Sequence, residues 1–278
     1  MTTVMFWSPD GGHGRTSSHT AITAVTASLQ YRLRLLLCHN QCRNHSIEAG
    51  LVAAEVRMGH THPRKNPGVD RLHYLYKSGI LTCNNVSDYM IPLLKDRLDL
   101  LIGTEERGQK LPDHSFWKYL LTVAGEYYDL ILMDAGSGAE QIPLLAEADL
   151  IVVNLSQNIT QLKAFFHEYA HTEVFRSRPW IPVLGAYQPE SLLTAASIVR
   201  KFSVHQSMYM LNYYQAFQDA WNTQNLLSFM RQHLILDRTH TESADFLRQS
   251  FFLTAAVMEQ LGGVPVLSGS VVRFPIPT

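Results

Sequence analysis

Short apolar runs parted by amphipathic stretches set the rhythm of this chain. Val4–Trp7, Leu33–Cys38 (LRLLLC), Leu98–Gly103, Tyr128–Asp134 (YDLILMD), Asp149–Leu155 (DLIVVNL), Pro182–Tyr187 and Met208–Tyr213 are each about one strand long. They are near-continuous rather than alternating, the pattern of strands covered on both faces. Between them lie stretches of helical period. Thr16–Arg32 puts Ala21, Ile22, Val25 and Leu29 on one face, and Val86–Arg97, His114–Glu126, Thr160–Phe175, Ser191–Lys201, Gln215–Gln232 and Thr241–Leu261 are predicted helices, with a turn or two at Gln141–Glu147. The alternation predicts an α/β fold, a three-layer sandwich with a mostly parallel sheet flanked by helices. Residues 39–80 show no clear period, and His60–Gly68 (HTHPRKNPG) is a polar, turn-rich loop. A single domain is expected over residues 1–262, with an irregular tail at 263–278, where glycine and proline recur.

Composition narrows the function classes. The chain has 278 residues, 46% of them hydrophobic, which is enough for a substantial core. A net charge of -1 implies no whole-molecule attraction to nucleic acid or acidic lipid. The scattered Arg64, Lys65, Arg71 and Lys77 fit a solvated face. Three cysteines, Cys38, Cys42 and Cys83, fit a reduced, cytoplasmic protein better than a disulfide scaffold. No apolar run reaches the about 18 residues of a membrane span, and no basic leader precedes an apolar stretch, so neither an anchor nor a signal peptide is expected.

The chemistry concentrates at Val4–Ser18 (VMFWSPDGGHGRTSS). Strand, glycine-rich turn and helix is the arrangement that wraps backbone N–H groups around a phosphate, with the positive helix end behind them. Gly11, Gly12 and Gly14 supply the turn. Arg15 stands where a phosphate loop has lysine, and Thr16 where it has the Mg²⁺-binding hydroxyl. Asp134 closes a buried strand and is followed by Ala135-Gly136-Ser137-Gly138, a turn able to approach a terminal phosphate and offer a carboxylate to Mg²⁺.

Two motifs together resemble the MinD/ParA group of deviant phosphate-loop ATPases. Asp10-Gly11-Gly12-His13-Gly14-Arg15-Thr16-Ser17 is similar to that family's Lys-Gly-Gly-x-Gly-Lys-Thr-Thr, and Asp134–Gly138 to its Asp-x-x-x-Gly turn. The order of elements also looks like that family from the first strand to Leu261. The resemblance implies that Gly11, Gly12, His13, Gly14, Arg15, Thr16, Ser17, Asp134 and Gly138 bind ATP or ADP, with Thr16 and Asp134 on Mg²⁺. It implies a homodimer that recruits protein partners of a larger assembly, of the pilus, secretion, cellulose-synthesis or partition type. The basic amphipathic helix that anchors many relatives to membrane has no counterpart in GSVVRFPIPT.

The departures bear on activity. The family's signature lysine falls on Asp10, its loop lysine on Arg15, and its Asp-x-Asp after the second strand on Cys38-His39-Asn40-Gln41. The expectation is therefore weak or no hydrolysis, a pseudo-ATPase that still grips phosphate through loop amides. An active ParA-type ATPase acting on DNA is the alternative within the same fold.

His167-Glu168-Tyr169-Ala170-His171 offers a different reading. It matches H-E-x-x-H, in which two imidazoles one helical turn apart bind Zn²⁺ and the glutamate activates water. The chain has 13 histidines, so chance pairs are common, and no clear third ligand is visible beyond Glu190 or His205. Cys38, His39, Cys42 and His45 form a weaker metal candidate, since Cys38 ends an apolar run. Tyr209, Tyr213, Tyr214, Phe217 and Trp221 are read as mostly core, with any exposed part a candidate partner surface.

Overall fold

The computed structural model describes residues 2–12, 14–42, 47–53, 68–104, 112–236 and 242–263. His13, His45, loop residues 60–67 and the tail 264–278 lie outside them.

Eight strands form one sheet in the order β3-β4-β2-β5-β1-β6-β7-β8. They are β1 (Thr2–Ser8), β2 (Leu35–His39), β3 (Ile91–Leu94), β4 (Leu98–Leu100), β5 (Leu130–Ser137), β6 (Leu150–Leu155), β7 (Trp180–Tyr187) and β8 (Tyr209–Asn212). All neighbours are parallel except β3, which pairs antiparallel with β4 at one edge. The α/β architecture expected from the sequence is thus present.

The continuous apolar runs divide their side chains between two cores. Val4 and Phe6 point to one face of the sheet, and Met5 and Trp7 to the other. Leu35 and Leu37 part from Leu36 and Cys38 in the same way, as do Leu130 and Leu132 from Ile131 and Met133. Strand geometry sends successive side chains to opposite faces, so a strand covered on both sides must be apolar throughout. Each large side chain so enclosed stabilises the fold by about 1.5–3 kcal/mol.

The helices are α1 (Thr16–Gln30), α2 (Glu48–Leu51), α3 (Val69–Lys77), α4 (Cys83–Val86), α5 (His114–Ala124), α6 (Ile142–Leu145), α7 (Ile159–His167), α8 (Glu173–Ser177), α9 (Ala195–Phe202), α10 (Gln215–Asn222), α11 (Leu226–Leu236) and α12 (Glu242–Gln260). On one face Ile22 and Val25 of α1 pack with Phe217, Met230 and Leu253. On the other, Phe116 and Leu120 of α5 pack with Leu162 and Phe165 of α7. Side-chain caps start several of these helices: Asp113 accepts from the Phe116 N–H at 3.0 Å, Asn158 from the Thr160 N–H at 2.9 Å and Thr194 from the Ser197 N–H at 3.2 Å.

Three predicted helices differ. Val86–Arg97 is not one helix. After α4 and a single 3₁₀ turn the chain enters β3, then turns through Asp96 (φ 58°) into β4. Pro92 lies in β3, an edge strand, where a missing N–H is tolerated. Thr160–Phe175 breaks at Glu168, and Gln215–Gln232 breaks at Thr223 and Gln224, the latter at φ 59°.

Candidate functional site

β1 lies between β5 and β6, so its end delivers the glycine loop to the middle of the sheet's carboxyl edge. The loop is strapped down there. A methyl group at Gly14 would collide with the Ser8 hydroxyl and sit 2.7 Å from the Asn154 carbonyl oxygen. Ser8 Oγ donates to the Asp10 carbonyl (3.0 Å) and accepts from Gln161 Nε2 (3.2 Å). The first helical bond of α1 runs from the His19 N–H to the Arg15 carbonyl, 3.0 Å. Among the described residues no side chain caps this end, and no acidic residue occupies its first turn. Its partial positive charge therefore faces the space over the loop, as an anion site requires.

That space is a cleft of about 580 Å³, the size of small-ligand sites. Gly11, Gly12, Arg15, Thr16 and Ser17 form one wall, and Gly136, Ser137, Glu140 and Gln141 from the β5 turn form another. The structure thus brings together these loop residues and the turn after Asp134.

Asp134 is wholly buried under the cleft. Its Oδ2 accepts from Ser17 Oγ at 2.5 Å and from Gln41 Nε2 at 3.3 Å, and its Oδ1 accepts from the Gly136 N–H at 2.9 Å. The partner hydroxyl is Ser17, one residue beyond Thr16, while Thr16 lines the cleft itself. Burial raises the Asp134 carboxyl above the usual carboxylate range, against the lowering pull of Ser17, the Gly136 N–H and His39. Trp7 Nε1 donates to the Gly138 carbonyl (2.9 Å) and the Gly138 N–H to the Ser8 carbonyl (3.0 Å), fastening the β5 turn to β1. The Asp134 carboxyl with the Ser17 hydroxyl on it, and Thr16 in the cleft wall, offer oxygen donors only, which suits Mg²⁺.

At the end of β2, where the sequence shows no carboxylate, the fold supplies one from α2. Glu48 Oε1 meets His39 Nε2 at 2.8 Å and accepts from the Gly103 N–H at 2.7 Å. Asn40 Nδ2 donates to Gln141 Oε1 (2.6 Å), linking the β2 and β5 ends across the cleft. The sequence reading missed Glu48, which stands in a four-residue helix with no periodic signal.

Arg15 sits at φ 57°, in the left-handed region, and its Nη1 donates to Gln218 Oε1 of α10 at 2.7 Å. Trp221, on the same helix, lines the cleft and packs its ring where a Gly50 side chain would stand. Both lie in the stretch YQAFQDAWNTQNLL, which resembles the family's partner-facing segment, and neither was expected at the phosphate cleft. Of the aromatic set, Phe217 is buried and Tyr213 is exposed. Asp10 is exposed beside the loop.

The helical premise of the zinc reading is corrected. α7 ends at His167, Glu168 leaves helical geometry (φ −114°, ψ −67°), and Tyr169–His171 is a 3₁₀ turn. His167 and His171 are both exposed and do not stand one α-helical turn apart on a shared face. Tyr169 turns instead toward Trp7, ring centroids 5.0 Å apart. Among the described residues no group of three or more His, Cys, Asp or Glu is placed to hold a metal ion. Cys38 is buried, as its apolar run suggested, and burial raises its thiol well above the ordinary range.

No family model matches the sequence, and no curated protein is similar to it in sequence. Solved structures are similar in three dimensions. A ParA family ATPase from Chlorobium tepidum superposes with a TM-score of 0.66 at 12% identity, over 90% of this chain and 98% of that one. The septum site-determining protein MinD of Pyrococcus horikoshii, complexed with Mg-ADP, gives 0.63 at 10% identity, over 93% and 98%. A complex of a Cyanothece McdA variant with ATP gives 0.63 at 14% identity, over 96% and 99%. The chain has the α/β fold of ParA and MinD ATPases.

Proposed function

We propose that this protein binds ATP or ADP with Mg²⁺ in the cleft over the glycine loop, and works as a cytoplasmic, dimeric spatial organiser or assembly factor of the MinD/ParA type. The observation that carries the reading is the meeting of an uncapped helix N-terminus with buried Asp134 through Ser17, at the floor of a cleft of about 580 Å³. Amides of the loop and the first turn of α1 grip the phosphates, Thr16 and Asp134 hold the Mg²⁺, and Arg15 supplies the cation. The Mg-ADP and ATP complexes of proteins with this fold support the choice of ligand. Among the described residues no helix is long and apolar enough to cross a membrane.

Hydrolysis is slow or absent in this reading. The residues lining the cleft at the end of β2 are the amides Asn40 and Gln41, which hydrogen-bond to water without taking its proton. Calorimetry with ATP and ADP, with and without Mg²⁺, tests the proposal, with Asp134→Ala as the comparison. Mg²⁺-dependent binding to the parent that loses its Mg²⁺ dependence in the variant is expected. No heat with either nucleotide overturns it.

A further inference from the structure

We infer that a second small-molecule site lies at the sheet's amino edge, in a cavity walled by Arg97 and Asp99, and that it takes a small zwitterion of the free amino acid class. β2, β4 and β5 run parallel, so their first residues meet on the edge opposite the glycine loop. There the turn from β3 into β4 and the start of β5 bound a space of about 410 Å³, within the size range of small-ligand sites. It shares no lining residue with the cleft over the glycine loop.

The wall carries both signs of charge, held apart. Arg34, Lys95 and Arg97 stand on it together with Asp96 and Asp99. Among the described residues, none of these cations forms an ion pair with either carboxylate. Three of the five are moored to neutral partners instead. Arg97 Nη1 donates to the Tyr31 carbonyl at 2.7 Å. The hydroxyl of buried Tyr128 donates to Asp99 Oδ2 at 2.7 Å. The Arg34 guanidinium lies over the Tyr127 ring, 5.1 Å from its centroid. Burial raises the Asp99 carboxyl above its usual range; the Tyr128 hydroxyl pulls it back, and neighbouring Asp96 adds to the rise. A cation arriving from outside relieves that cost.

The spacing sets the size of the ligand. The Arg97 carbonyl accepts from the Leu35 N–H at 2.9 Å, next to the first β2–β4 pair, so Arg97 and Asp99 stand two residues apart along the line of β4. Two residues of strand span about 7 Å. With each side chain moored elsewhere, that gap suits one small molecule whose carboxylate accepts from the Arg97 guanidinium and whose ammonium donates to Asp99. Arg34 and Lys95 add charge for the first end, and Asp96 for the second. Met90 and Pro92 supply apolar surface for a short side chain.

The probes are the standard L-amino acids, screened at millimolar concentration by thermal melts of the full chain, with calorimetry on those that raise the midpoint. At least one is expected to bind. Acetylating its amine, or converting its carboxylate to the amide, should each weaken binding by about 10-fold or more, the loss of one charged contact. Arg97→Gln and Asp99→Asn should each do the same. Asp99→Asn keeps the fold, because the amide oxygen still accepts from the Tyr128 hydroxyl. An acetylated amino acid that binds as well as its parent overturns the zwitterion and makes this an anion site. No midpoint shift with any amino acid, or full affinity in Asp99→Asn, overturns the site itself. Titration of Asp99→Asn with Mg²⁺–ATP should match the parent, so the nucleotide site is judged separately.

Discussion

His39 Nε2 and Glu48 Oε1 stand 2.8 Å apart with both side chains wholly enclosed, at the end of the strand that lies beside Asp134. The Gln41 N–H donates to His39 Nδ1 at 3.2 Å, so Nδ1 is an acceptor and Nε2 carries the hydrogen that faces Glu48. The pair ties α2 to β2, and Trp221 packs against Gly50 of the same short helix. Glu48 thereby fixes the backbone that presents Asn40 and Gln41 to the cleft.

Removing the carboxyl should cost far more than neutralising it. Glu48→Ala leaves His39 Nε2 and the Gly103 N–H facing a cavity, and a loss of about 3 kcal/mol is expected. In Glu48→Gln the amide oxygen still accepts both bonds, so most of that stability returns. Urea unfolding of the two variants measures the difference. Equal losses would mean that α2 holds its place by packing alone.

Asp134 is kept at a cost to stability. Its folded pKa is raised above the unfolded value, chiefly by burial. A raised carboxyl contributes stability at low pH that is lost as pH climbs through the folded value. Asp134→Asn removes that penalty: its Oδ1 still accepts from the Gly136 N–H, and its Nδ2 donates to Ser17 Oγ, a hydroxyl that accepts as well as donates. It should raise the melting midpoint near neutral pH by about 2–4 °C, roughly 1 kcal/mol, while weakening Mg²⁺-dependent binding. A lower midpoint would show that the carboxylate stabilises its surroundings more than its burial costs.

His19 sets an opposite slope in acid. Burial against Gly185, together with the nearby Arg15 charge, outweighs its 2.6 Å bond to Asn154 and pushes it down to about 4. Between the unfolded value of 6.5 and about 4, the unfolded chain binds a proton here that the native chain does not. Stability should therefore fall as pH drops through that window, by up to about 1.4 kcal/mol per pH unit from this group, and stay flat above it. His19→Gln should flatten the slope when unfolding is followed across pH 4–7.

What the sequence discloses and what it hides follow from the range of the interactions. YDLILMD announces β5 because a strand covered on both faces must be apolar at every position, and Asp134 then stands out as the polar residue that ends the run. The glycine loop is legible because close approach and tight turns leave a local residue signature. Val86–Arg97 misleads because Ile91, Leu93 and Leu94 satisfy either a helical or an edge-strand pattern, and the turn at Asp96 carries no glycine. His167–His171 has the spacing of a helical pair, but the helix stops where Tyr169 packs on Trp7. Gln218 meets Arg15 from 203 residues away, and Glu48 meets His39 from an unreadable segment. A single polar residue placed by tertiary packing leaves no periodic trace.

The loop glycines should prove unequal. Gly14 has no room for a side chain: a methyl group there would meet Ser8 and stand 2.7 Å from the Asn154 carbonyl oxygen, and both belong to central strands that cannot retreat. Gly14→Ala must therefore lift the loop off β1 and β6 and displace the N-terminus of α1. A loss of stability of about 2–3 kcal/mol and of all phosphate binding is expected. At Gly12 nothing lies within 4 Å of the new methyl group, and the only penalty is its φ of 81°. Gly12→Ala should cost about 1–2 kcal/mol and leave the loop in place, with phosphate affinity changed less than about 10-fold. Thermal melts and phosphate titrations of the two variants side by side decide the matter. Equal damage at both positions would mean that the loop's conformational freedom, rather than its contact with Ser8 and Asn154, holds it in shape.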